Sequence, residues 1–189
     1  MRRTIIALSA LAAVLLSAVP TSAATAATAA TAASAATAAS EAATVTLPGW
    51  EPAPSAPWTV PAGARCDFPV HGEPVVDEVV RRVLERRPDG SAKRVAYTGD
   101  LVVRVTNTDT GASYDADASG TAVVEYRTDG SQFWSVLGPV LVGFAEGGGT
   151  LARGLYVIDG AYTMDISATG YKTVTMAHAT SDDLCARID

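Results

Sequence analysis

Residues 104–120, RVTNTDTGASYDADASG, hold closely spaced side-chain oxygens that either cradle a metal ion or turn one strand into the next. Spacing separates the two. A calcium loop of the helix-loop-helix kind needs glycine one position later, where Ala112 stands, and a bidentate Glu further on, which is missing. A four-residue loop Thr108-Asp109-Thr110-Gly111 instead sets Val105 opposite Tyr114, Val103 opposite Ala116 and Leu101 opposite Ala118, so apolar faces meet. Gly111 then takes the left-handed position that ends a type I turn, and Ser113, Asp115, Asp117 and Ser119 form the wet face. The hairpin is the better reading, and no metal or other cofactor is expected.

The same test extends along the chain. A two-residue turn at Asp129-Gly130 places Tyr126 opposite Phe133, Val123 opposite Val136 and Glu125 opposite Trp134; another at Asp159-Gly160 places Val157 opposite Tyr162 and Leu155 opposite Met164. Strand signals cover 94–98, 100–107, 112–119, 121–128, 131–137, 139–145, 151–158, 161–168 and 171–178. Gly138-Pro139 and the EGGG at 146–149 supply breaks, and Gly143 inside a strand marks a bend or a close approach. The expected fold is mainly β, a single antiparallel barrel or sandwich of about eight strands; a closed barrel would leave no exposed edge. One segment argues otherwise. Over 75–87, Val75, Val76, Val79, Val80, Val83 and Leu84 fall at helical spacing, with i,i+4 pairs Glu78–Arg82 and Arg81–Glu85. A short helix is favoured there, against a long first hairpin turning at Asp89-Gly90, which the preponderance of Val supports.

Outward from the domain, Arg2 and Arg3 precede an apolar run from Ile5 to Val19 and then small residues, the pattern of a secretory signal peptide over 1–23. Twin arginines alone do not establish export in the folded state. The run is too short to span a bilayer, so no transmembrane anchor is expected after cleavage. Residues 24–46 form an Ala/Thr-rich spacer, read as disordered, in which a hydroxyl residue recurs at every third position as far as Ser40. Residues 47–65 form a proline-rich lead-in, with Trp50 and Trp58 lying against the domain, and 66–189 form the β domain. Loss of Arg2 and Arg3 leaves 12 of the 14 basic residues against 20 acidic ones, a formal charge of −8 in place of −6. Acidity of this size disfavours a nucleic-acid partner, which needs a basic face. The only two cysteines, Cys66 and Cys185, stand at the domain's ends in a chain bound for an oxidising space and are expected to pair.

The segments RCDFPV, GDLVVRVTNTDTG, LGPVL, GGGTLARGLY and DLCARI, with a DG turn, resemble a family of small uncharacterised secreted proteins of high-GC Gram-positive bacteria. The resemblance covers about two thirds of the chain. It implies export and an all-β domain tied by a terminal cysteine pair, and it favours strand over helix ahead of the first DG. It implies no activity and no catalytic residue.

Catalytic motifs are missing from the sequence: it has no G-x-S-x-G elbow, no H-E-x-x-H, no phosphate-binding glycine loop and no cysteine left over for nucleophilic chemistry. No catalytic residue is therefore assigned. Three classes remain: a secreted non-catalytic barrel module that binds a small ligand, a wall-associated or protein-binding extracellular factor, and an enzyme of cyclase, isomerase or hydrolase type with a Tyr/His lumen. A lined pocket favours the first or third, whereas a filled core with a broad exposed apolar patch favours the second. The candidate ligand site comes from parity. A loop at Thr169-Gly170-Tyr171 sets Met164 opposite Met176 and Tyr162 opposite an inward His178; pairing through Cys66 and Cys185 would bring His71 diagonal to His178. Pro69, Gly72 and Pro74 weigh against that last pairing, and a core histidine bonded to Tyr162 or to backbone is the competing reading.

Overall fold

The computed structural model describes residues 49–189. The segments expected to be a signal peptide and an Ala/Thr-rich spacer, and the first residues of the lead-in, lie outside the described residues.

The chain forms strands β1 (Glu51–Pro52), β2 (Trp58–Val60), β3 (Val70–Asp77), β4 (Val80–Arg86), β5 (Ala92–Thr98), β6 (Leu101–Asn107), β7 (Ser113–Asp117), β8 (Thr121–Tyr126), β9 (Gln132–Leu137), β10 (Val140–Phe144), β11 (Gly154–Ile166) and β12 (Lys172–Asp183). One helical turn, α1 (Leu184–Arg187), follows. The small antiparallel sheet has order β2-β3-β6-β7, and the large one runs β1-β4-β5-β8-β9-β11-β10, with β12 on the other edge of β11. The large sheet does not close into a barrel. No helix among the described residues is long and apolar enough to cross a membrane.

One bent hairpin builds both sheets. Its arms, 70–86 and 92–107, pair as β3 with β6 in the small sheet and as β4 with β5 in the large one. Between sheets the arms turn a corner at Glu78-Val79 and Gly99-Asp100, where the Glu78 amide donates to the Asp100 carbonyl at 2.8 Å. A Cβ on Gly99, whose φ is +130°, would lie 2.3 Å from the Glu78 carbonyl oxygen, so the corner requires glycine. The helix expected over 75–87 is thus replaced by two strands meeting at this corner. The corner interrupts the strand parity, and the Val positions on its two sides then mimic a helical stripe. Val75, Val76 and Leu84 end on the surface. The anticipated i,i+4 ion pairs do not form: Arg81 bonds Glu51 and Glu85 bonds Lys93 across strands.

The 104–120 hairpin has the expected register, Val105 opposite Tyr114 and Val103 opposite Ala116, with Gly111 at φ +80°. Its oxygens serve the backbone and a cation: Asn107 Oδ1 accepts from the Asp109 amide, Thr110 Oγ1 from the Ala112 amide, and Asp115 receives both arms of Arg104. At Asp129-Gly130 the hairpin stands, but its loop has three residues, closed by the Arg127 amide on the Ser131 carbonyl at 2.8 Å. The register moves by one, so Glu125 faces Phe133, Val124 faces Trp134 and Ala122 faces Val136. The cause is local. Ser131 donates both its amide and its hydroxyl to Asp129 Oδ1, and Ser91 does the same to Asp89 in the matching turn of the first hairpin. Arg87 and Arg127 each reach the serine hydroxyl, so R-x-D-G-S recurs as one turn unit, with a left-handed Gly adding a bulge.

The Asp159-Gly160 turn is not formed. Strand β11 runs straight through it, with its first half paired to β10, its second half to β9 and its other edge to β12. A Cβ on Gly160 would lie 2.1 Å from the His178 carbonyl oxygen, and the Gly138 amide donates to the Gly160 carbonyl at 3.0 Å. This glycine admits a close approach within a bent sheet and does not reverse the chain.

Two cores result. The first, under the small sheet, contains Cys66, Val70, Val103, Val105, Ala116, Leu155, Leu184 and Ile188. The second fills the curl of the large sheet with Val124, Val136, Val142, Phe144, Ile158, Tyr162 and Met164. The disulfide Cys66–Cys185 is present, with Cα atoms 5.4 Å apart, and fixes α1 over the first core. Buried Asn107 donates to the Ile188 carbonyl at 3.0 Å, which holds the C-terminal residues in place. Trp58, inside the proline-rich lead-in, packs against the same core from β2, so the domain takes in strands that precede Cys66.

Candidate functional site

Of the residues expected to form a ligand site, Tyr162, Met164 and Met176 stay together on β11 and β12, and the two histidines do not join them. His178 is exposed on β12 opposite Ala161, and Tyr162 is buried opposite Met176, while Met164 faces Val174. The loop closes at Ser167–Tyr171, two positions tighter in pairing sum than expected, and a bulge at Ala161/Tyr162 then turns His178 off the apolar face. His71 lies in the small sheet, its Nδ1 2.9 Å from Thr59 Oγ1. Strands β3 and β12 belong to different sheets, so the pairing through Cys66 and Cys185 that would have joined the histidines does not occur. No lumen receives them, because the second core fills the curl.

An open trough of about 460 Å³ lies on the outer face of the large sheet, between Val123, Ser135, Leu137, Thr163, Thr175 and Ala177. It contains no convergent charge. A cleft of about 380 Å³ over β4, β5 and β8 is smaller but carries the chemistry: Tyr97, Tyr126, Arg81, Arg86 and Glu51 surround an apolar floor of Val83 and Val95.

Cross-strand geometry builds this cleft. Arg81 faces Tyr97, Tyr97 faces Ala122 and Val83 faces Val95, which puts these side chains on one face of three neighbouring strands. The Tyr97 and Tyr126 hydroxyls are 2.7 Å apart. Burial, and then the Tyr97 hydroxyl, push the Tyr126 phenol well above its ordinary value, so it stays protonated and offers a hydrogen bond, not a base. The Arg87 guanidinium donates to the Tyr126 carbonyl and to the Ala92 carbonyl, tying the hairpin end to β8. Arg81 donates to Glu51 at 2.9 Å, and that bond raises its pKa. Arg86 donates to the Gly90 carbonyl and has no carboxylate partner among the described residues.

The cleft sits on a basic pole. Residues 80–94 contain Arg81, Arg82, Arg86, Arg87, Lys93 and Arg94 against Glu85 and Asp89, a local charge of +4 in a chain of −6. Whole-chain acidity concealed this segregation. Paired strands alone would have revealed it, since a helix over 75–87 would distribute these arginines differently.

No protein-family model, curated protein or solved structure matches the chain.

Proposed function

We propose that the protein is a secreted, non-catalytic binding module for an acidic polysaccharide, gripped in the Tyr97–Tyr126 cleft. The observation that carries this reading is a hydrogen-bonded tyrosine pair flanked by Arg81 and Arg86 on a hairpin of net positive charge. Aromatic side chains offer an apolar face to a sugar ring and a hydroxyl to its polar edge, while the planar guanidinium of Arg86, which has no carboxylate partner among the described residues, forks a carboxylate and Arg81 adds positive charge beside it. Charge segregation steers an anionic chain to one end of an otherwise acidic body. The leader would deliver the chain to an oxidising space, with which the Cys66–Cys185 bridge agrees. Wall association is then a consequence of the ligand and needs no lipid.

Polygalacturonate is a suitable probe. Immobilised polygalacturonate should retain the protein at low salt and release it as ionic strength rises, because exposed charges are screened. Arg81→Glu with Arg86→Glu should reduce retention at least tenfold with the thermal transition preserved. Equal retention of the double variant, or equal binding to an uncharged glucan, contradicts the reading.

A second reading rests on the trough of the outer face, where Leu137 is 67% exposed beside Val123 and Ala177. A protein partner would cover it. Leu137→Arg, which leaves the polysaccharide site untouched, should then abolish capture of that partner.

A further inference from the structure

Trp58 separates two cavities between the small sheet and β10. One, of about 260 Å³, is lined by Trp58, Val60, Arg65, Leu141, Gly143 and Leu155; the other, of about 280 Å³, shares Trp58 and Leu141. Two glycines shape the place. A Cβ on Gly72 would lie 2.2 Å from the Trp58 ring, so the indole rests directly on the β3 backbone. A Cβ on Gly143 would lie 2.6 Å from Arg65 Nε, so the guanidinium occupies space that a side chain on β10 would take. Arg65 is half-buried, yet its hydrogen bond goes only to the neighbouring Ala64 carbonyl, at 2.7 Å. The carboxylates nearby in sequence and structure, Asp67 and Glu146, pair with Arg153. Arg65 thus has no carboxylate partner among the described residues. A half-buried guanidinium at the rim of an apolar cavity, without its own anion, keeps donors free to receive one. Lys172, whose amine is depressed by burial and then by the Arg65 charge, lies 5.7 Å from the Phe144 ring and does not line the cavity, so Arg65 is the cation of the site.

We infer that the cavity between Trp58 and Gly143 binds a small amphiphilic carboxylate, its hydrocarbon body against the indole, Val60, Leu141 and Leu155 and its carboxylate on Arg65. The apolar walls reject a fully polar anion, and the guanidinium selects the acid over its neutral twin. The residues are distinct from those of the tyrosine cleft, so this site and the polysaccharide site stand or fall separately.

Calorimetric titration of the full secreted chain with octanoate, and with octanol as the uncharged twin, tests the inference. Octanoate should bind about tenfold or more tightly than octanol, and Arg65→Gln should erase that difference while Arg65→Lys retains part of it. Gly143→Ala, which displaces the guanidinium, should weaken octanoate more than octanol. Binding of neither compound, or an octanoate affinity unchanged in Arg65→Gln, overturns it. Arg81→Glu leaves octanoate binding intact if the two sites are independent, and a loss there overturns the assignment to Arg65.

Discussion

Tyr162 buries its phenol, 3% exposed, with no hydrogen-bond partner among the described residues, and burial followed by the charge of Asp159 pushes its pKa up. An unsatisfied buried hydroxyl costs about 1–3 kcal/mol. Tyr162→Phe, which removes only that oxygen, should therefore leave stability unchanged or raise it by roughly 1 kcal/mol in urea unfolding. A loss of similar size would mean that the phenol has a partner. Asp89 and Asp129 present the opposite case. Ser91 and Ser131 hydrogen-bond them and hold each carboxyl below its ordinary value. A carboxyl depressed in the folded state stabilises above its unfolded pKa, near 3.9, and loses that stabilisation as pH falls through the folded value. Stability should accordingly fall below about pH 4, and Ser91→Ala with Ser131→Ala should flatten that limb of the pH profile. A limb unchanged in the double variant would place the acid sensitivity in other carboxyls.

At the scale of elements, the hairpin at Asn107–Ala112 was legible because its loop length and apolar parity agree, and both survive in the fold. The Asp129-Gly130 turn was legible as a turn but not in register, because the serine that extends it to three residues acts through side-chain bonds that a dipeptide rule omits. Asp159-Gly160 misled for a different reason: an Asp-Gly pair in a long strand looks like a hairpin until the close approach of His178 is known. The tyrosine cleft was not legible, since Tyr97 and Tyr126 meet only when β5 pairs with β8. The cysteine pair was legible from the count and from the expected compartment. Its replacement by serine at both positions, which frees a loop of 119 residues, should lower stability by about 2–5 kcal/mol without changing the β spectrum. Two free thiols in the unreduced protein would refute the bridge. Leu184→Ala, at a fully buried position beside it, should cost about 2–5 kcal/mol.

Across residues 49–189, one bent hairpin generates two sheets and puts a basic tip on an acidic domain. Truncation tests how far the domain extends. A chain beginning at Gly49 should unfold at the temperature of the full chain, whereas one beginning at Ala62 loses β1, β2 and the Trp58 contact with the first core and should melt lower and less cooperatively. Identical melting of the two would make the lead-in strands dispensable. Binding at the tip is tested most directly by mapping amide resonances by NMR during titration with a short oligogalacturonate. Saturable shifts confined to β4, β5 and β8 around Arg81, Arg86, Tyr97 and Tyr126 are expected, and they should be lost in the Arg81→Glu, Arg86→Glu variant. Shifts centred on Leu137 and Thr163, or none at all, would contradict it.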